Sequence, residues 1–60
     1  MAYLNLKQVK EITQLSTATI YMLIARGEFP KQFKLTLRTS RWIGSEIEEF
    51  INQKIEKRKG

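Results

Sequence analysis

The sequence predicts a mainly α domain with a small β-hairpin, its elements in the order helix, helix, hairpin, helix. Three observations predict it. Two short segments with helical apolar spacing each open on a capping residue, Asn5 and Ser16; the stretch QFKLTLRTSRW, after Pro30, alternates apolar and polar residues as paired strands do; and SEIEEFINQKI returns to a helical period. With 60 residues, the chain is read as one domain, 1–60. A domain this small buries only about 60% of its unfolded surface, so its core must be thin and closely packed.

The first helix starts at Asn5, with Gln8 as its capping-box partner and Leu4 placed to staple against Val9. Leu6, Val9 and Ile12 lie on one face, and the helix ends near Thr13. Ser16 caps the second helix, Leu15 and Ile20 form a second staple, and Gly27 provides a left-handed stop. At 100° per residue, a buried stripe of Ile20, Leu23 and Ile24 turns Ala18, Tyr21, Met22 and Ala25 outward, with Thr17 and Thr19 at the margins. Two helices joined by so short a Ser-capped turn fit either a helix-turn-helix or an ordinary packed helical hairpin.

Pro30 turns the chain away from helix. Phe33, Leu35 and Leu37 then alternate with Lys34 and Thr36, the turn falls within 36–39, and the return strand includes Thr39, Ser40, Arg41 and Trp42. A two-stranded hairpin is marginal alone, so Phe33, Leu35 and Trp42 are expected to dock it on the helices. The last helix opens on a Ser45/Glu48 capping box and covers the core with Ile47, Phe50, Ile51 and Ile55. Residues 56–60 are read as a frayed basic tail.

The chain has no Cys and no His, and too few residues remain after the core is assigned to build a walled cleft. No catalytic group, metal site or cofactor is expected, and the protein is read as a binding module, not an enzyme. No apolar run approaches the roughly 20 residues of a membrane-crossing helix, and no signal segment is visible; the expected location is cytoplasmic, with no membrane partner.

Eleven Lys or Arg against six Asp or Glu give a formal charge of +5. The cations cluster, since 31–44 holds Lys31, Lys34, Arg38 and Arg41 without an acid, while Glu46, Glu48 and Glu49 open the last helix. A capped helix followed by a basic hairpin is the arrangement of a winged helix-turn-helix, and its polyanionic partner would be double-stranded DNA. The candidate recognition-helix residues are Ser16, Thr17, Ala18, Thr19, Tyr21 and Met22: hydroxyls for bases or phosphate, and methyl groups for thymine. The candidate wing residues are Lys31, Lys34, Arg38, Thr39, Ser40 and Arg41, positioned for phosphate or the minor groove. The competing reading makes the helix residues ordinary caps and surface, and the wing charges merely solvated.

The ordered segments LKQV, LSTATIY, IARGEFP, KLTLR and RWIGSEIEEFI resemble the AlpA-like family of small phage and mobile-element regulators. That family is related to excisionases and to MerR-type winged helix-turn-helix DNA-binding domains. The resemblance implies that Ser16 starts a recognition helix, that Thr19 and Tyr21 face DNA, and that Ile20 packs. It places Arg38 and Arg41 in the wing, and Phe29, Pro30 and Trp42 in the scaffold. Gln14 stands where the family usually has Gly, Thr17 and Met22 where it often has a basic residue, and Gln32 in place of a frequent second Pro.

The implied function is sequence-specific DNA binding as a phage or mobile-element transcriptional regulator, with recombination directionality as a further duty. The protein partners of those roles are RNA polymerase and an integrase, and the chain is expected to be a monomer that binds repeated sites cooperatively. The alternative, from another class, is a non-catalytic interaction module whose basic wing binds an acidic partner or inhibits another regulator.

Overall fold

In the computed structural model, which describes residues 3–59 and the side chains of 3–57, the first helix begins as its sequence dictates. Asn5 Oδ1 accepts from the Gln8 N–H at 2.8 Å, and Gln8 Oε1 accepts from the Asn5 N–H at 2.9 Å. This reciprocal box satisfies two amide donors at the start of α1, Leu6–Thr13. The helix stops at Gln14, which adopts the left-handed conformation (φ 60°, ψ 24°) and donates its N–H to the Lys10 carbonyl at 2.8 Å. Thr13 ties the turn from inside, donating its hydroxyl to the Val9 carbonyl at 2.7 Å and accepting the Leu15 N–H at 3.3 Å.

The second helix, α2, spans Thr17–Ala25 from its Ser16 cap. Gly27 (φ 73°) ends it: the Gly27 N–H reaches the Ile24 carbonyl at 3.0 Å, and the Glu28 N–H reaches that of Leu23 at 2.8 Å. That pair of bonds is the Schellman arrangement, which needs a left-handed residue where Gly27 stands.

The hairpin forms from β2, Phe33–Thr36, and β3, Thr39–Ile43, joined through Leu37 and Arg38. A strand that the alternation pattern did not reveal, β1 at Tyr3–Leu4, pairs antiparallel with β3 on its other side. The sheet order is therefore β1-β3-β2, with β3 in the centre. Tyr3 also sets its ring edgewise against Phe33, 5.6 Å between centroids, closing the two outer strands over one another.

One residue from each helix, one from β3 and one from the loop after α2 make the core: Val9, Ile20, Ile47, Trp42 and Phe29. Trp42 is the largest of these and 1% exposed, and its indole N–H donates to the Pro30 carbonyl at 3.0 Å. A buried indole donor needs such a partner, so this bond fixes the hairpin against the chain leaving α2. Phe29 meets Phe50 edge to face at 4.7 Å. Leu4, Leu6, Leu15, Leu23, Ile24, Phe50 and Ile51 pack around the cluster, half-buried.

The expectations for the packing of Leu35, Ile12 and Ile55 and for the capping position of Ser45 are corrected. Leu35 does not dock the hairpin; it is 53% exposed, because the β2–β3 register slips between Lys34↔Ser40 and Thr36↔Thr39 and makes Leu35 the extra residue of a bulge. Ile12 and Ile55 continue the apolar faces of their helices past the area that the thin core covers, and both are 49% exposed. Ser45 is not the residue before the last helix but its second residue, since α3 (Gly44–Lys59) leaves β3 with no connecting loop. Residues 56–59 lie within α3, and Gly60, the last residue of the tail read as frayed over 56–60, lies outside the described residues. Otherwise the architecture is the expected one, three helices with a small antiparallel wing.

Candidate nucleic-acid interface

The outer face of α2 follows from what its inner face must bury. Ile20 is fully enclosed, and Leu23 and Ile24 pack beside it. Helical geometry then puts Ala18, Tyr21, Met22 and Ala25 in solvent, and all four are exposed. Thr17 and Thr19 lie half-buried at the margins, and Ser16 is exposed at the helix start. No side chain in α2 carries a formal charge; Arg26, its C-cap, is the first that does.

Ser16 has a structural task as well. Its Oγ accepts the Thr19 N–H at 3.2 Å and donates to Thr19 Oγ1 at 2.9 Å. The Thr19 hydroxyl accepts that bond and keeps its own hydrogen available to an acceptor outside. Ser16 therefore positions Thr19 while the amides of the first turn keep the partial positive charge of a helix start.

On the wing, Lys31, Lys34 and Arg38 are exposed, and Thr39, Ser40 and Arg41 are half-buried. Arg38 sits in the turn, its N–H on Thr36 Oγ1 at 3.3 Å. Arg41 Nη1 donates to the Ser40 carbonyl at 2.8 Å, an anchor that leaves its other guanidinium donors for a ligand. Because side chains alternate along a strand, Arg41 and Trp42 take opposite faces of β3, so the buried indole sets which way the guanidinium faces. Glu46, Glu48 and Glu49 are exposed on α3, and Glu28, Glu46 and Glu49 line an open hollow together with Lys31. Lys54, also on α3, is held 5.5 Å above the Phe50 ring.

Two features escaped the sequence reading. A shallow open hollow lies between α1 and the turn, lined by Lys7, Lys10, Gln14 and Ser16 among others, so two α1 cations share it with the start of α2. Their spacing of three along one helix face was the available signal. The other is Leu37, in the wing turn and 93% exposed; the sequence reading placed it within the turn and gave it no role.

In chemical terms the surface offers hydroxyl and methyl groups on a narrow helix and cations on a hairpin attached to the same core. The helix suits the edges of base pairs, the hairpin suits phosphate, and no described residue group offers three clustered metal-ligating side chains. No helix among the described residues is long and apolar enough to cross a membrane.

The family model described as the prophage CP4-57 regulatory protein (AlpA) matches residues 2–55. The uncharacterized protein ORF88 of Enterobacteria phage P4 is 37% identical over 57 residues, covering 95% of this chain and 65% of that protein. The chain thus spans just under two thirds of that relative's length.

Proposed function

Because this chain belongs to the AlpA family of prophage regulatory proteins, we propose that it is a sequence-specific double-stranded DNA-binding protein of a phage or mobile element. It acts as a transcriptional regulator, with recombination directionality as a second duty at sites beside an integrase attachment sequence. The observation that carries this reading is the pairing of an uncharged, exposed α2 face with an acid-free basic hairpin fixed to the same core.

In the proposed complex, α2 enters the major groove. Ala18, Met22 and the Thr methyl groups touch thymine methyls, Thr17 and Thr19 bond base edges or phosphate, and Tyr21 reaches phosphate or sugar. Lys31, Lys34, Arg38 and Arg41 follow the backbone toward the next minor groove, with Thr39 and Ser40 contributing hydroxyls. Phosphate contacts supply affinity without sequence choice, and the few polar groups on α2 leave part of that choice to DNA shape. The chain acts as a monomer that binds neighbouring sites cooperatively, with RNA polymerase or an integrase as its protein partner.

The test is enrichment of host and element DNA fragments by the purified protein, followed by titration of the winning duplex against a scrambled one. Promoter fragments support the regulator, and repeated sites beside an attachment sequence support the excision role. Equal binding to scrambled DNA defeats sequence specificity and leaves the basic wing as a contact for an acidic protein.

A further inference from the structure

Leu37 is 93% exposed at the far end of the hairpin, and its neighbour across the bulge, Leu35, is 53% exposed. Nothing in the fold asks for an apolar residue there. The two-residue hairpin turns that match strand twist need positive φ, and Gln14 is the sole non-glycine residue with positive φ among the described residues, so Leu37 and Arg38 form a turn of another kind. Single exposed leucines are common on protein surfaces; this one stands at the tip of a projecting arm, with Arg38 next in sequence and Lys34 and Arg41 behind it.

An apolar point surrounded by cations fits a target that is charged at its rim and apolar within. A DNA minor groove has that character, with phosphates along both edges and, once a base step opens, stacked apolar faces between them. We propose that Leu37 is a wedge that enters the minor groove and partly unstacks a base step, kinking the duplex at the wing. This inference rests on the DNA-binding reading and adds a mechanical action to it. Arg38 and Lys34 hold the tip at the groove edges, and the bulge at Leu35 increases strand twist just before the turn, which re-aims the tip. Insertion of this kind kinks DNA by roughly 20–90° and is least costly at flexible pyrimidine–purine steps. The wing then contributes to site choice without reading a base edge.

The experiment uses the intact chain and the duplex recovered by enrichment, carrying a donor and an acceptor dye at its ends and, in a second series, 2-aminopurine at each pyrimidine–purine step in turn. Wild-type protein should raise end-to-end energy transfer and brighten 2-aminopurine at one step. Leu37→Ala should lose at least half of both signals while binding within about threefold of wild type, and Leu37→Met should retain them. If Leu37→Ala binds and bends as wild type does, the wedge is refuted and the DNA reading stands. If wild type binds no duplex tighter than scrambled DNA, both fall together. If Leu37→Ala leaves bending intact but abolishes self-association in sedimentation, the tip is a contact between copies of the chain and the wedge is refuted.

Discussion

Replacing Arg38 with Ala isolates the electrostatic part of the proposed binding, because Arg38 is exposed at the wing turn and only its backbone N–H makes an internal bond. The proposed complex has four candidate phosphate contacts: Lys31, Lys34 and Arg38, all exposed, and Arg41 with one donor spent on the Ser40 carbonyl. Each phosphate neutralised on duplex DNA contributes about −0.9 to the slope of log affinity against log salt, so four give about −3.6, and Arg38→Ala about −2.7. Raising salt fourfold then weakens the wild type about 150-fold and the variant only about 40-fold. The assay is fluorescence anisotropy on the enriched duplex and its scrambled counterpart, at four or five salt concentrations. The loss should be equal on both duplexes, since a phosphate contact holds no sequence information. A slope that Arg38→Ala leaves unchanged would refute the assignment of the wing to the DNA backbone.

Other expected outcomes divide between binding and stability. Met22→Ala should narrow the gap between the enriched and scrambled duplexes by about tenfold, the discrimination of a good base contact at about 1.4 kcal/mol, with an unchanged salt slope; a uniform loss on both duplexes contradicts a base-reading role. Trp42→Phe removes ring volume from the core and leaves the Pro30 carbonyl unpaired, a cost of about 3 kcal/mol and a fall in Tm of about 12–24 °C, measured by thermal circular dichroism. A fall of only a few degrees would show that the indole is not central. Gln14→Gly relieves a left-handed backbone and should raise stability by about 0.5 kcal/mol after the greater freedom of the unfolded chain is subtracted, checked by urea denaturation. Gln32 Oε1 is buried without a hydrogen-bond partner, so Gln32→Met should stabilise by about 1 kcal/mol; a loss in the same titration contradicts the unmet acceptor.

What the sequence made legible was local chemistry. Asn5 with Gln8, Ser16 with Thr19, and Gly27 act through neighbours three or four residues away, and each does in the structure what its type and spacing imply. Ala18, Tyr21 and Met22 were placed outward by the angle between them and Ile20, and they are exposed. Illegible features depend on distant parts of the chain. Two residues, Tyr3 and Leu4, are too few to show a period, and they become a strand only because Ile43 and Trp42 lie opposite them. Leu35 satisfies an alternation that one extra residue shifts out of phase, and Ile12 and Ile55 belong to faces whose uncovered ends no periodicity can mark. For the interface, the charge run on the wing was visible in the sequence, whereas the projection of Leu37 required the turn itself.

Arg41 and Trp42 are consecutive residues on the central strand, one half-buried and the other enclosed in the core. Wings of DNA-binding domains can be loose arms that settle only on contact, and settling one takes a share of the binding free energy. Here the arm cannot loosen along β3 without drawing the indole out of the core and parting it from Pro30. Amide exchange across Thr39–Ile43 should therefore slow to the rate of whole-molecule unfolding, and the arm should reach DNA already in its bound form. Association then proceeds close to rigid docking, and the lifetime of the complex is set by its contacts, with no order to be regained or lost in the protein.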